Sequence, residues 1–205
     1  MSDPVHEALD HRDPEGARVG MWLFLLTEML LFGGLFLLYA VYRGRYPHEF
    51  ASAGKELSHV FGIANTFVLL TSSLSVACCL TALQKGQKRL CMTLLAVTAL
   101  LAVTFLVNKW LEWGAKIHHG LYPGGPGLIG RPPGEVLFFG LYYSTTGLHG
   151  LHVLAGLIVL VVVLGLVAVD RVTPDDHVLL ENAGLYWHLV DVVWIFILPL
   201  FYLTV

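Results

Sequence analysis

Five long apolar segments, separated by shorter polar ones, constrain the fold of this chain more than any other feature. They cover residues 19–42, 60–83, 90–111, 136–169 and 178–204. A helix that crosses a bilayer needs about 20 apolar residues, and each segment meets or exceeds that length. Strands of a membrane β-barrel would be about 10 residues long with strict alternation, which these segments lack. Because backbone polar groups must bond to one another inside a bilayer, the pattern predicts an all-α membrane protein, a five-transmembrane-helix bundle.

The composition agrees with a membrane environment. Charged residues make up 13% of the chain and the mean hydropathy is +0.70, whereas about a quarter of the residues in a soluble domain are charged. The net charge of −3 leaves no strongly basic face. We therefore expect no nucleic-acid partner.

The chain divides into a soluble N-terminal segment, residues 1–17, and one membrane domain, residues 18–205. The first segment is acidic and contains proline, unlike a secretory signal, so we expect the first apolar segment to be retained. The shortest connection, residues 84–89, carries three positive charges. Short positively charged loops usually remain on the inner side of the membrane. This predicts a cytoplasmic N-terminus and a C-terminus outside.

Glu28 is the single charged residue of the first apolar segment. Its neighbours one helical turn away are apolar, so any partner must come from another helix, a lipid headgroup or water. Intramembrane acids are costly and are functional candidates by default. Two interpretations stay open: a carboxyl that handles protons or contacts lipid, and a neutral acid that bonds a neighbouring helix.

Polar residues also line one face of each of the last two apolar segments. Thr145, His149, His152 and Gly156 share a helical face, as do Glu181, Gly184, His188 and Asp191. With a 3.6-residue period, these two polar stripes are expected to face the bundle interior and perhaps each other. His188 and Asp191, three residues apart, could pair.

Other polar residues in the apolar segments favour packing roles. Asn65 and Thr66 precede three serines in the second segment, a composition typical of close helix–helix contacts.

Histidines on two helices are also compatible with a metal or haem site. No cysteine joins them, and interhelical hydrogen bonding is the favoured interpretation. The three cysteines, Cys78, Cys79 and Cys91, suit small packing residues better than a disulfide framework.

Four stretches together resemble subunit III of the haem–copper respiratory oxidases, the subunit 3 family of cytochrome c and quinol oxidases. They are MWLFLLTEMLLFGGLF at 21–36, ANTFVLLTSS at 64–73, TGLHGLHVLAG at 146–156 and ENAGLYWHLVDVVWIF at 181–196. They occur in the family's order and extend over nearly the whole chain from residue 18. The last, with its Tyr-Trp-His-x-Val-Asp-x-Val-Trp pattern, is the most distinctive.

The resemblance implies a non-catalytic subunit with no catalytic centre of its own. It implies no cofactor in this chain, with haem and copper in partner subunits, and bound phospholipid. The partners would be the catalytic subunit I, subunit II, other small subunits and membrane lipids. The complex would reduce dioxygen to water and translocate protons, and this subunit would stabilise the catalytic subunit and support proton uptake. The expected location is a bacterial-type inner (plasma) membrane.

The resemblance also extends to individual residues of this chain. Glu28 matches the family's buried acid, and His149, His152, His188 and Asp191 match its polar positions on the last two helices. Glu112 and Trp113 match a Glu–aromatic pair, expected here at the membrane surface. The family's seven-helix form has two further N-terminal helices that wall a lipid-filled cleft. This chain would be a five-helix form, in which another subunit must supply that wall.

Three alternatives remain from the sequence. An accessory subunit of a nitric oxide reductase would share the fold. A small proton-coupled carrier could be built around Glu28 and the polar stripes, although five helices do not divide into the inverted repeats usual in transporters. A membrane haem protein would use the histidines as ligands.

Overall fold

The computed structural model describes residues 13–203. Within this range, five helices are long and apolar enough to cross a membrane. They are α1 (Pro14–Arg45), α3 (His59–Gln84), α4 (Lys88–His118), α5 (Pro133–Ala168) and α6 (Val178–Ile197), the last continued by a π-helical turn at Leu198–Tyr202. A short helix α2 (Pro47–Gly54) and a 3₁₀ turn (Pro126–Leu128) lie in the connections. The predicted five-helix membrane fold is confirmed.

Several helix ends differ from the predicted boundaries. Helix α1 begins at Pro14, inside the segment assigned to 1–17, because Asp13 caps it by accepting a hydrogen bond from the Gly16 amide at 2.9 Å. Proline suits the first turn of a helix, where its missing N–H costs nothing. Residues 1–12 of that predicted segment lie outside the described residues. Helix α4 continues to His118, seven residues beyond the predicted end.

Cross-helix hydrogen bonds define the two ends of the bundle. At the proximal end, where α1 begins, Arg18 meets Glu181 of α6, and Lys88 of α4 meets Asp170 beyond α5. At the distal end, the Glu49 carboxylate of α2 accepts a hydrogen bond from the Gly134 amide at the start of α5, at 2.5 Å. This bond satisfies an amide that the first turn of a helix would otherwise leave free.

Helix α1 is the least buried of the five. In its most apolar stretch 11% of the residues are buried, compared with 50% for α6. Polar contacts attach α1 along its length: Arg18 to Glu181, Glu28 to His152, and the Tyr39 hydroxyl to the Leu200 carbonyl. Exposed apolar surface costs little in a bilayer, so polar and close-packing contacts carry helix association there.

Helices α3 and α4 form a tight antiparallel hairpin. Interhelical hydrogen bonds set its register, from Ser75 to the Leu94 carbonyl at 3.0 Å and from the Asn108 amide to the Asn65 side-chain oxygen at 2.9 Å. The turn between the helices needs Gly86, whose φ of +73° favours glycine. Of the polar residues of α3 predicted to serve packing, Asn65 and Ser75 form hydrogen bonds across this interface.

Both tryptophans of α6, Trp187 and Trp194, are buried in the core. The Trp187 indole donates to the Ser72 hydroxyl and the Trp194 indole to the Thr66 hydroxyl, both at 3.0 Å. The Trp187 ring also lies over Gly156 of α5. A Cβ at that position would lie 2.8 Å from the ring, so only glycine allows this approach.

Candidate functional site

Glu28 of α1 and His152 of α5 form a hydrogen-bonded pair. The His152 Nε2 and Glu28 Oε2 atoms are 2.8 Å apart, and the side chains are 15% and 14% exposed. The other ring nitrogen, Nδ1, lies 2.8 Å from the Leu148 carbonyl oxygen. Since a carbonyl can only accept, Nδ1 must carry a hydrogen. The Nε2···Oε2 contact then holds one proton, on the histidine or on the acid.

The pair therefore carries no net charge, whichever of the two atoms holds this proton. A protonated acid beside neutral imidazole and a carboxylate beside imidazolium differ only in where the proton lies. The surroundings hold the imidazole in place: the Phe32 ring packs edge-on at 5.1 Å, and Tyr186 donates a hydrogen bond to the His152 carbonyl at 3.1 Å. The arrangement can therefore accept or release a proton at the edge of the bundle through a pre-oriented imidazole.

The sequence predicted that any partner of Glu28 would lie outside its own helix. The structure supplies that partner 124 residues away, on α5. Both interpretations of Glu28 are compatible with this bond, since a proton-handling acid and an interhelical hydrogen-bonding acid would each make it.

His149, one turn from His152 on the same face, has a different environment. It is fully buried, and its ring lies 5.5 Å from Phe105 and 5.3 Å from Trp194 between ring centres. Within residues 13–203 neither ring nitrogen has a hydrogen-bond partner. No set of three or more His, Cys, Asp or Glu side chains in the same range is arranged to hold a metal ion.

His188 and Asp191 do not form the pair suggested by their spacing. His188 instead turns towards α3, where its Nδ1 lies 2.5 Å from the Ser73 hydroxyl. Asp191 is 3% exposed, and neither carboxylate oxygen has a hydrogen-bond partner among the described residues. The expected pairing was wrong because the nearest polar group for His188 lies on a neighbouring helix.

The two polar stripes also do not face each other. The α6 stripe contacts α1 and α3, through Glu181 with Arg18 and His188 with Ser73, whereas His152 of the α5 stripe contacts α1. The expectation of opposed stripes was wrong, because periodicity identifies a polar face but not the neighbour that the face meets.

Asn65 and Thr66 both lie in helix contacts. Asn65 is fully buried and accepts a hydrogen bond from the Asn108 amide at 2.9 Å. Thr66 donates to the Gly62 carbonyl at 2.9 Å and accepts from Trp194. These bonds join α3 to α4 and α6.

Glu112 belongs to a buried polar cluster that sequence reasoning missed. The Lys109 ammonium donates to Glu112 at 2.8 Å, to Tyr202 at 2.9 Å and to Tyr142 at 3.1 Å. Each tyrosine hydroxyl in turn donates to Glu112 at 2.9 Å. All three ammonium protons and both carboxylate oxygens are therefore satisfied, as buried charges require. We call these four residues the distal cluster.

The distal cluster shows that the Glu112 side chain is buried in the bundle, while the position of Glu112 and Trp113 at the membrane surface stays a prediction. The Glu112 side chain is 2% exposed and points into the bundle. Trp113, on the next position around the helix, packs beside Tyr143 at 5.1 Å between ring centres. Two signals pointed to the cluster: Lys109 is one turn before Glu112, and Tyr142 continues the α5 stripe towards the distal end.

A partly exposed ion network organises the distal connection between α4 and α5. Arg131 contacts Glu56, which follows α2, and Glu135 in the first turn of α5, the latter at 3.1 Å. The hydrogen bond that Arg131 donates to Glu56 and the two neighbouring negative charges raise the pKa of the Arg131 guanidinium. The network ties the loop to the helix that follows it.

Comparison with known proteins supports this assignment of the fold. The family model described as cytochrome c oxidase subunit III matches residues 8–205. The chain is 30% identical to the cytochrome bo(3) ubiquinol oxidase subunit 3 of Pseudomonas aeruginosa, covering 95% of this chain and 88% of that protein. It is 31% identical to the probable quinol oxidase subunit 3 of Staphylococcus saprophyticus, covering 97% and 96%. The cytochrome c oxidase subunit 3 of Thermostichus vulcanus is 29% identical, covering 94% and 90%.

The resemblance read from the four sequence stretches is thus confirmed, and Glu28, His152 and the polar face of α6 lie within the matched range. The chain belongs to the cytochrome c oxidase subunit III family, whose members are non-catalytic subunits of haem–copper oxidases.

Proposed function

We propose that this chain stabilises the catalytic subunit of its oxidase through turnover and supports that subunit's proton uptake, with Glu28 and His152 as the proton-holding pair. The observation that carries this proposal is the 2.8 Å contact between Glu28 Oε2 and His152 Nε2. The pair is partly exposed and its acid stands on α1, the helix with the most surface left open. A partner subunit packed on α1 would therefore meet the pair directly.

In this proposal the redox groups lie elsewhere in the complex. Haem and copper reside in partner subunits, of which subunit I is catalytic, and subunit II and other small subunits complete the assembly. Phospholipids cover the remaining apolar surface of α1. The residues of this chain contribute packing and a proton-holding pair rather than electron transfer.

The proposed location is a bacterial-type inner membrane. The proximal end, which carries Lys85, Lys88 and Arg89 in and beside its shortest turn, faces the cytoplasm, because short positively charged loops favour that side. The C-terminus then lies outside. Labelling of a cysteine introduced at Lys85 by a membrane-impermeant reagent, in right-side-out and inverted vesicles, tests this orientation. Reaction in right-side-out vesicles alone would reverse it.

The role of the pair is tested with Glu28→Gln in the whole oxidase complex. Glutamine keeps a donor for His152 Nε2 but cannot exchange a proton. The variant is expected to assemble normally and to lose activity sooner during sustained turnover, or to take up protons more slowly. Glu15→Gln, at an exposed position of the same helix, is the matched control. Failure of Glu28→Gln to assemble would assign Glu28 to packing, and unchanged durability and proton uptake would refute the proposed role.

A further inference from the structure

Two buried cysteines meet at the proximal end of the α3–α4 hairpin. The Sγ atoms of Cys79 on α3 and Cys91 on α4 are 2.7 Å apart, and both residues are fully buried. The third cysteine, Cys78, is exposed on the other side of α3. Adjacent positions in the sequence therefore have opposite environments.

The hairpin itself brings Cys79 and Cys91 together. Ser75 bonds to the Leu94 carbonyl one turn further along the same interface. On the other side, the turn is closed by a hydrogen bond from the Gln87 amide to the Ala82 carbonyl at 2.9 Å. With contacts on both sides fixing the register, Cys79 and Cys91 are held at facing positions of the hairpin.

We propose that Cys79 and Cys91 are an oxidative modification site that closes to a reversible disulfide when a small hydroperoxide reaches it. Hydrogen peroxide would oxidise one thiol to a sulfenic acid and be reduced to water. The second thiol would then attack the sulfenic sulfur. An S–S bond forms, the S–O bond breaks, and the hydroxyl leaves as water with the proton of the attacking thiol. Two thiols thereby lose two electrons to one peroxide.

Burial decides which reagents can take part. Thiol reactivity depends on access as well as on thiolate content. Packed side chains around Cys79 and Cys91 exclude bulky thiols such as glutathione, whereas hydrogen peroxide is small and neutral. The second step needs no further reagent, because the resolving sulfur is already in contact. The disulfide would therefore persist in the folded protein and be reduced readily only after denaturation.

The Cys79–Cys91 disulfide would link α3 covalently to α4 near the turn between them. Closing a short loop of the chain restricts the unfolded state and stabilises the folded one, provided that the native geometry can accept the bond. The expected consequence is a higher unfolding temperature for the oxidised protein than for the reduced protein. Replacing either cysteine would remove this difference.

The test uses the full oxidase complex in native membranes, treated with hydrogen peroxide and then denatured in the presence of a maleimide–polyethylene glycol. The untreated chain should take up three labels, one for each cysteine. After peroxide it should take up one, on Cys78, and a peptide linked through Cys79 and Cys91 should appear on mass spectrometry. Reduction after denaturation should restore three labels, whereas glutathione applied to the folded complex should not.

Three variants act as controls. Cys78→Ser should fall from two labels to none after peroxide. Cys79→Ser and Cys91→Ser should each yield no linked peptide, since neither retains the pair, and a label lost in either variant reports a sulfenic acid and not a disulfide. The proposal is overturned if the wild type keeps three labels, or if it loses labels without forming the peptide linked through Cys79 and Cys91, which would indicate unspecific oxidation. Cys78→Ser gives an independent reading if either buried substitution prevents folding.

Discussion

The Glu28 carboxyl and the His152 imidazole, 124 residues apart in sequence, form a hydrogen bond with 2.8 Å between Oε2 and Nε2. The Leu148 carbonyl fixes the tautomer of the ring, so the position of the proton in this hydrogen bond is the single variable of the contact. The pair also joins the least buried helix to the rest of the bundle. A structural link and a proton-holding site are therefore the same pair of side chains.

This double role predicts a measurable coupling between the two residues. Removing either partner leaves the other without its hydrogen bond, which costs about 1–3 kcal/mol for a buried polar group. A cycle of Glu28→Leu, His152→Leu and the double variant should give a coupling of about 0.6 kcal/mol, the average for interhelical hydrogen bonds in membranes, and at most about 1.7 kcal/mol. SDS-induced unfolding in mixed micelles measures it. Strictly additive effects would show that the contact contributes nothing.

The distal cluster predicts a larger and non-additive effect. Lys109→Met leaves the buried Glu112 carboxylate without its cation, a change that costs about 3–5 kcal/mol in buried pairs. Lys109→Met with Glu112→Gln should be less destabilised than Lys109→Met alone, because the uncompensated charge is gone. Lys55→Met, which removes an exposed lysine, is the control and should change the free energy of unfolding little. A double variant less stable than Lys109→Met would contradict this explanation.

The Arg18–Glu181 pair should contribute much less. Its side chains are 43% and 28% exposed, so water and salt screen the attraction. We expect a coupling of about 0.2–1 kcal/mol from a cycle of Arg18→Gln and Glu181→Gln, as for exposed ion pairs in general. The coupling should decrease as salt is added. A value that is large and independent of salt would mean that the pair is shielded by a partner in the complex.

The Arg131 network predicts a stability contribution that does not change with pH near neutrality. The pKa of Arg131 is raised in the folded state, so its contribution is complete below the unfolded pKa and declines only as the pH rises through the folded one. Both values lie above the pH range of ordinary stability measurements, because arginine stays protonated throughout it. The difference in unfolding temperature between wild type and Arg131→Gln should thus be equal at about pH 7 and about pH 9. A difference that shrinks over this interval would indicate that another group titrates.

The sequence predicts some parts of this molecule well and others poorly. Long apolar segments identify the five helices because length and hydropathy are local properties. Glu28 stands out since a charge inside such a segment is costly wherever it lies. Its partner cannot be found in the same way, because His152 is one of several histidines and helix packing decides which one it meets.

The distal cluster is a second feature that the sequence predicts poorly. Lys109 and Glu112 lie near the end of an apolar segment, where charged residues normally reach water, so the sequence placed Glu112 at the membrane surface. The structure buries both because α4 is longer than its apolar segment and the two tyrosines fold over the pair. Tyr202 carries no signal that distinguishes it from an interfacial aromatic residue, and Tyr142 carries only its register with the α5 stripe.

The most direct test of the account is purification of the tagged chain from native membranes in mild detergent, followed by a reduced-minus-oxidised spectrum and an oxygen-consumption assay. We predict that a haem-bearing partner co-purifies and that the complex reduces dioxygen. The chain expressed alone should show no haem absorption. Elution without a haem protein, co-purification with a nitric oxide reductase, or haem absorption by the isolated chain would contradict this prediction.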